Sequence, residues 1–140
     1  MWTIELPLAV QVSSKTWFML NLNVYRNAHH RTLDKAKKEF TERVMPLVKH
    51  LPKLDRVLIA YTLYTPTQRT VDVANVCSIV DKFFSDTLVK AGKLEDDNRK
   101  ILPIIAFADG GIDNINPRVE ANIHSIGPNP DITITDGWAS

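Results

Sequence analysis

The run from Arg56 to Thr65 constrains the fold most. Val57, Ile59, Tyr61 and Leu63 alternate with Leu58, Ala60, Thr62 and Tyr64, and both sets are largely apolar. A strand with two apolar faces belongs inside a sheet, so this run predicts a central strand, ended by Thr65, Pro66 and Thr67. Beyond it Val76, Val80, Phe83, Thr87 and Leu88 recur at helical spacing, with Phe84 and Ala91 beside them, before Gly92 offers a helix end. This predicts an amphipathic helix with an apolar side toward the core. Its other side is a polar stripe, Asn75, Ser78, Lys82 and Asp86, in which Lys82 and Asp86 form an i,i+4 pair expected to fix the lysine.

The remaining chain supplies partners for that strand and helix. Trp2, Ile4 and Leu6 alternate with Thr3 and Glu5 before Pro7, which predicts a half-buried first strand. Residues 8–31 show no clear period and predict a long loop rich in Asn21, Asn23, Tyr25, Arg26 and Asn27. Such amide, aromatic and basic side chains suit a phosphate and sugar contact surface, or simply a mobile surface loop. His29 and His30 are adjacent and would point apart, and no histidine pair here has zinc-ligand spacing.

Leu33, Ala36, Phe40, Val44, Leu47 and Leu51 predict a helix capped by Thr32, with Lys35, Lys37, Lys38 and Arg43 outward and Pro46 kinking its last turns. Lys100 to Phe107 reads as a strand whose Pro103 places it at an edge or bulge, followed by a loop from Asp109 to Pro117. Arg118 to Ile126 reads as the last strand. The expected fold is α+β in the order β-α-β-α-β-β, a small mixed sheet with two main helices on one face. Residues 1–126 form the expected domain and 127–140 a C-terminal tail.

With 140 residues, one domain is expected. A net charge of +1 gives no global case for nucleic acid, yet residues 31–56 carry eight Lys/Arg against four Asp/Glu, while residues 109–140 carry one against five. A basic middle suits a phosphate backbone and an acidic end does not. Cys77 is the only cysteine, which excludes an internal disulfide and a Cys-based zinc site, and its place on the helix predicts a buried small side chain. The N-terminus lacks a signal-peptide pattern and no apolar run reaches membrane length, so a cytoplasmic chain is expected.

Acids bracket the second helix. Asp72 opens it and Asp96 and Asp97 follow it. If the next strand folds back along the helix, these carboxylates converge into an oxygen-ligand site for Mg²⁺. Asp72 is equally a helix cap, and Asp96-Asp97 equally an ordinary turn. Gln68, Arg69 and Thr70 deliver a basic turn just before Asp72, an arrangement suited to handling phosphate.

From Trp2 to about Ile126 the chain resembles the RusA-type Holliday junction resolvases, endonucleases of bacteria and their phages. The likeness is carried by the box from Asp72 to Asn75, by Lys90-Ala91-Gly92, by Asp96-Asp97, by Asn21, Asn23, Tyr25 and Arg26, and by Arg118-Val119-Glu120. It implies a homodimeric α+β enzyme of recombination and repair that makes paired, Mg²⁺-dependent nicks at four-way DNA junctions in the cytoplasm of a bacterium or phage-infected host. By position, Asp72 matches the first acid of the family's D-x-D-N box, Asn75 its Asn and Asp97 the distal acid. The catalytic lysine falls on Lys82 when the helix is aligned from its C-terminal end and on Ser78 from its N-terminal end, and Lys82 is preferred because the i,i+7 step keeps it on the face of Asn75. Asp72, Asp97 and Asp96 are thus the expected metal ligands, and Asn75, Arg69, Asn23, Tyr25, Arg26, Lys37 and Lys38 the expected DNA contacts.

The chain departs from the family at Ala74, which stands where the second acid of the box belongs, and in a helix about one turn longer between Asn75 and Lys90. Losing that carboxylate removes a ligand and a charge, which Asp96 is the first candidate to replace, with Asp81 poorly placed around the helix. A branched-DNA-binding protein impaired in cutting is therefore the alternative to an active nuclease. A scaffold without DNA affinity is the third reading.

Overall fold

The computed structural model describes residues 1–68 and 71–127. Arg69, Thr70 and the expected tail from Pro128 onward lie outside the described residues. Four strands make a mixed sheet in the order β1-β6-β4-β5: β1 Trp2–Leu6, β4 Val57–Thr65, β5 Ile104–Ile112 and β6 Arg118–Ser125. The two-faced apolar run is central as expected, antiparallel to β6 and parallel to β5. A parallel neighbour requires a crossover, which α3, Val73–Lys90, supplies.

Alternate residues decide which side of the sheet the helices cover. Ile4, Leu6, Ile59, Tyr61, Leu63, Val119, Ala121 and Ile123 share one buried cluster with Phe40 of α2 and Phe83 of α3. Since strand side chains alternate, Thr3, Glu5, Glu120 and Asn122 stand on the opposite face. α2 spans His30–Val48, and Thr41 meets Thr87 of α3 hydroxyl to hydroxyl at 3.2 Å. Both long helices therefore lie on one face, as the alternation and helical periods predict.

Residues 8–31 depart from the expected loop. They form a hairpin, β2 Ala9–Gln11 and β3 Trp17–Met19, and a short helix α1, Leu22–Asn27. Asn21 caps α1, its Oδ1 accepting from the Val24 N–H at 2.9 Å. The hairpin seats Val10 and Phe18 in the core and leaves Trp17 and Met19 exposed. The cap of α2 also differs, because His29 Nδ1 rather than Thr32 accepts from the first turn, at 3.2 Å from the Arg31 N–H. His29 and His30 do not point apart; their ring centroids lie 4.3 Å from each other. Pro46 stays inside α2, within its last turn.

The α3 helix ends where expected. Gly92 takes φ +73°, a conformation side chains disfavour, and the Lys93 N–H returns to the Leu88 carbonyl at 2.9 Å. β5, expected to stop at Phe107, continues through Asp109-Gly110-Gly111 as an edge strand. Its pairing with β4 slips by one residue between Leu63 and Tyr64, which makes Gly110 the extra residue of a bulge. A Cβ at Gly110 would stand 2.6 Å from Tyr64 Cε1 and 2.8 Å from Thr62 Cγ2. The Tyr64 ring cannot swing away freely, because Arg118 stacks on it at 4.1 Å. Gly110→Ala is expected to destabilise by about 1–3 kcal/mol, read from the urea unfolding midpoint, and an unchanged midpoint would show that the ring yields.

Candidate active site

Phe83 organises the surface where α1, α2 and α3 meet. Its ring stacks on Phe18 at 6.3 Å, meets Phe40 edge-on at 5.6 Å and touches Tyr25 of α1 at 6.4 Å. The next residue, Lys82, is exposed, and its Nζ stands 6.0 Å above the Tyr25 ring, a weak cation–π contact. Lys37 of α2 and Asp97, from the connection after α3, close the other sides. The result is an open cleft of about 220 Å³ lined by Tyr25, Lys37, Lys82, Phe83, Asp86 and Asp97.

Beside this cleft lies a carboxylate that the helical wheel did not favour. Asp81 is half-buried, and its Oδ1 accepts from the Tyr61 hydroxyl at 2.7 Å and from Ser85 at 3.1 Å. Among the described residues no hydrogen bond is made to its Oδ2. Burial raises the Asp81 carboxyl above its ordinary 3.8, the two hydroxyls pull it back, and the nearby charge of Asp97 raises it again. Burial, and then the adjacent Asp81, pushes the Tyr61 phenol well above its ordinary 10.0. Cys77 is buried as expected, and burial pushes its thiol up to about 12, which leaves it inert at neutral pH.

The pH consequence of Asp81 has a definite sign. A carboxyl raised in the folded chain holds its proton more tightly there than in the unfolded chain. Its contribution to stability is therefore full below the unfolded value, near 3.8, and is lost as pH rises through the higher folded value. Asp81→Asn does not titrate and still accepts from Tyr61. It is expected to gain stability relative to the parent between about pH 3 and pH 7, measured by urea unfolding at both ends. The opposite trend would mean that Asp81 is held as a stabilised anion.

The expected ligand group is redistributed. Asp97 lines the same cleft as Lys82. Asp72 does not join them. It caps α3, its Oδ1 accepting from the Ala74 N–H at 3.0 Å, and Lys82 lies ten residues on, about 15 Å along the helix. Asp96 is held in its own turn, where bonds from the Asp97 N–H at 2.7 Å and the Asn98 amide at 3.1 Å lower its carboxyl. Among the described residues, no three His, Cys, Asp or Glu side chains gather into a metal-holding group. Asp72, Asp96 and Asp97 are accordingly not drawn into one such group, with Asp72 at the cap of α3 and Asp97 on the cleft lined by Lys82.

Other assignments shift as well. Asp86 pairs with Lys90 at 3.1 Å rather than with Lys82 as expected, and Lys82 stands over Tyr25 in the cleft. Lys37 was expected on the outer face of α2 but is half-buried and lines the cleft. Asn23, Arg26 and Lys38 are exposed on α1 and α2. Asn75 sits in the first turn of α3, near Asp72 rather than Asp97, and Arg69 lies outside the described residues. Ser78, read as part of the polar stripe, has a buried hydroxyl without a hydrogen-bond partner among the described residues.

Magnesium binds through one or two carboxylates and completes its shell with water and substrate phosphate. Asp97 is near enough to Asp81 for its charge to raise the Asp81 carboxyl. No family model and no curated protein matches this chain. Among the described residues no helix is long and apolar enough to cross a membrane.

Proposed function

We propose that the chain is a Mg²⁺-dependent endodeoxyribonuclease that nicks four-way DNA junctions, acting as a homodimer that cuts two opposed strands. The observation that carries this reading is the convergence of Asp97 on Lys82, Lys37 and Tyr25 in one cleft beside Asp81. It joins an acid from the distal pair to the lysine that the resemblance marks as catalytic. Asp97 and Asp81 would hold the metal, which when bound supplies an activated water and neutralises phosphate charge. Lys82 is placed to stabilise charge on the leaving oxygen, and Lys37 to hold a flanking phosphate. Tyr25 bears on Phe83 and gives the site a firm wall. Asn23, Arg26 and Lys38 lie on α1 and α2, the helices that border the cleft, and would follow the DNA backbone.

The test is nicking of a synthetic four-way junction by the purified chain with and without Mg²⁺. Paired products that require the metal support the reading. Intact junction at every Mg²⁺ and Mn²⁺ concentration would sink it.

One observation favours a second reading. Ala74 is exposed in the first turn of α3, where the resemblance places an acid, and Asp72 beside it caps the helix. A protein that binds branched DNA tightly and cuts poorly follows from that loss. Salt-sensitive binding without product would identify it, and a gain of cutting in Ala74→Asp would locate the defect.

A further inference from the structure

At the opposite end of the sheet from β5, β1 is an edge strand that among the described residues pairs with β6 alone, and it borders a groove. Five consecutive residues, Thr3 to Pro7, form one wall of this groove of about 410 Å³. Arg43, Leu47 and His50 of α2 and its C-terminal exit form the other, spaced i, i+4 and i+7 so that they share one helix face. Leu47 is 43% exposed, a large apolar side chain left without cover. Among the described residues neither Arg43 nor His50 has a carboxylate partner. Arg118, at the groove's end, is by contrast occupied by Glu5, Asp113 and Glu120 at 3.6, 2.8 and 2.9 Å.

We propose that this groove binds an extended acidic peptide by strand addition to β1. Three features select that occupant together. A strand edge unpaired among the described residues offers backbone donors and acceptors along about 17 Å, which only another extended backbone satisfies in register. Leu47 accepts an aliphatic side chain, and Arg43 calls for a carboxylate on a neighbouring residue. A small organic anion would meet Arg43 and leave both the edge and Leu47 uncovered. A second copy pairing β1 with β1 would set the two Arg43 ridges against each other, because antiparallel edge pairing keeps both sets of helices on the same side of the joined sheet.

The experiment titrates the full chain, isotope-labelled for NMR, with a capped Glu-Val-Glu-Val-Glu-Val peptide, its Lys-Val counterpart, and glutarate. Saturable binding of the acidic peptide with Kd below about 1 mM is expected, with slowed amide exchange at Thr3–Leu6 and shifts at Leu47. Arg43→Glu, an exposed change, is expected to weaken binding roughly tenfold, and the basic peptide is expected not to bind. The proposal is overturned if the acidic peptide does not saturate, if glutarate binds as tightly, or if Arg43→Glu and Leu47→Ser leave affinity unchanged. A dimer of the free chain that Leu47→Ser dissociates would assign the groove to a second copy and overturn it equally.

Discussion

Asp97→Asn is expected to slow Mg²⁺-dependent nicking of a four-way junction by roughly 10²–10³-fold while leaving the unfolding midpoint in place. The side chain is exposed, so the exchange of carboxylate for amide removes charge without opening a cavity. What it removes is an acid that lines the cleft with Lys82 and whose charge raises the Asp81 carboxyl. Asp72→Asn makes the contrast. An amide oxygen still accepts from the Ala74 N–H, so the cap survives, and nicking is expected to change by less than about tenfold. Equal losses in both variants would show that Asp72 works in the same centre as Asp97, and the assignment to the Asp81–Asp97 side of α3 would fall. Junction affinity measured in the same variants separates lost cutting from lost binding, since neither residue is a cation that meets phosphate.

How far the site was legible follows from which element faces which. The strands β1, β4 and β6 were readable because each alternates over five or more residues and ends at a turn signal, so period alone fixes them. The hairpin was not, because β2 and β3 each bury one residue, Val10 and Phe18, and three residues carry no period. The placing of Asp97 beside α3 was legible, since the chain after α3 must return along the helix to reach a parallel neighbour of β4. Asp81 was not, because its meaning depends on Tyr61. That tyrosine points from the central strand at α3, and only the packed sheet shows its hydroxyl reaching the carboxylate. The separation of Asp72 from Lys82, ten residues and about 15 Å along the axis, becomes plain once the helix is known to run unbroken from Val73 to Lys90.

The largest effect on stability is expected from Phe83→Ala, at about 3–5 kcal/mol. Phe83 is 2% exposed and its ring is shared by the hairpin through Phe18, by α1 through Tyr25 and by α2 through Phe40. Truncation leaves a void lined by three rings on three different elements, which cannot close without moving all of them at once. Phe83→Leu, which retains most of the volume, is expected to cost less than half as much. The two variants also separate packing from chemistry. Tyr25 loses its support in both, so the cleft loosens and nicking falls even in the folded fraction, whereas the helix cap at Asp72 lies remote from Phe83 and keeps its geometry. Urea unfolding gives the first quantity, and nicking measured well below the unfolding midpoint gives the second. If Phe83→Leu is fully active while Phe83→Ala is folded and inactive, the ring matters as filler. If both are folded and fully active, Tyr25 is no part of the cutting site and the cleft is only a seam between helices.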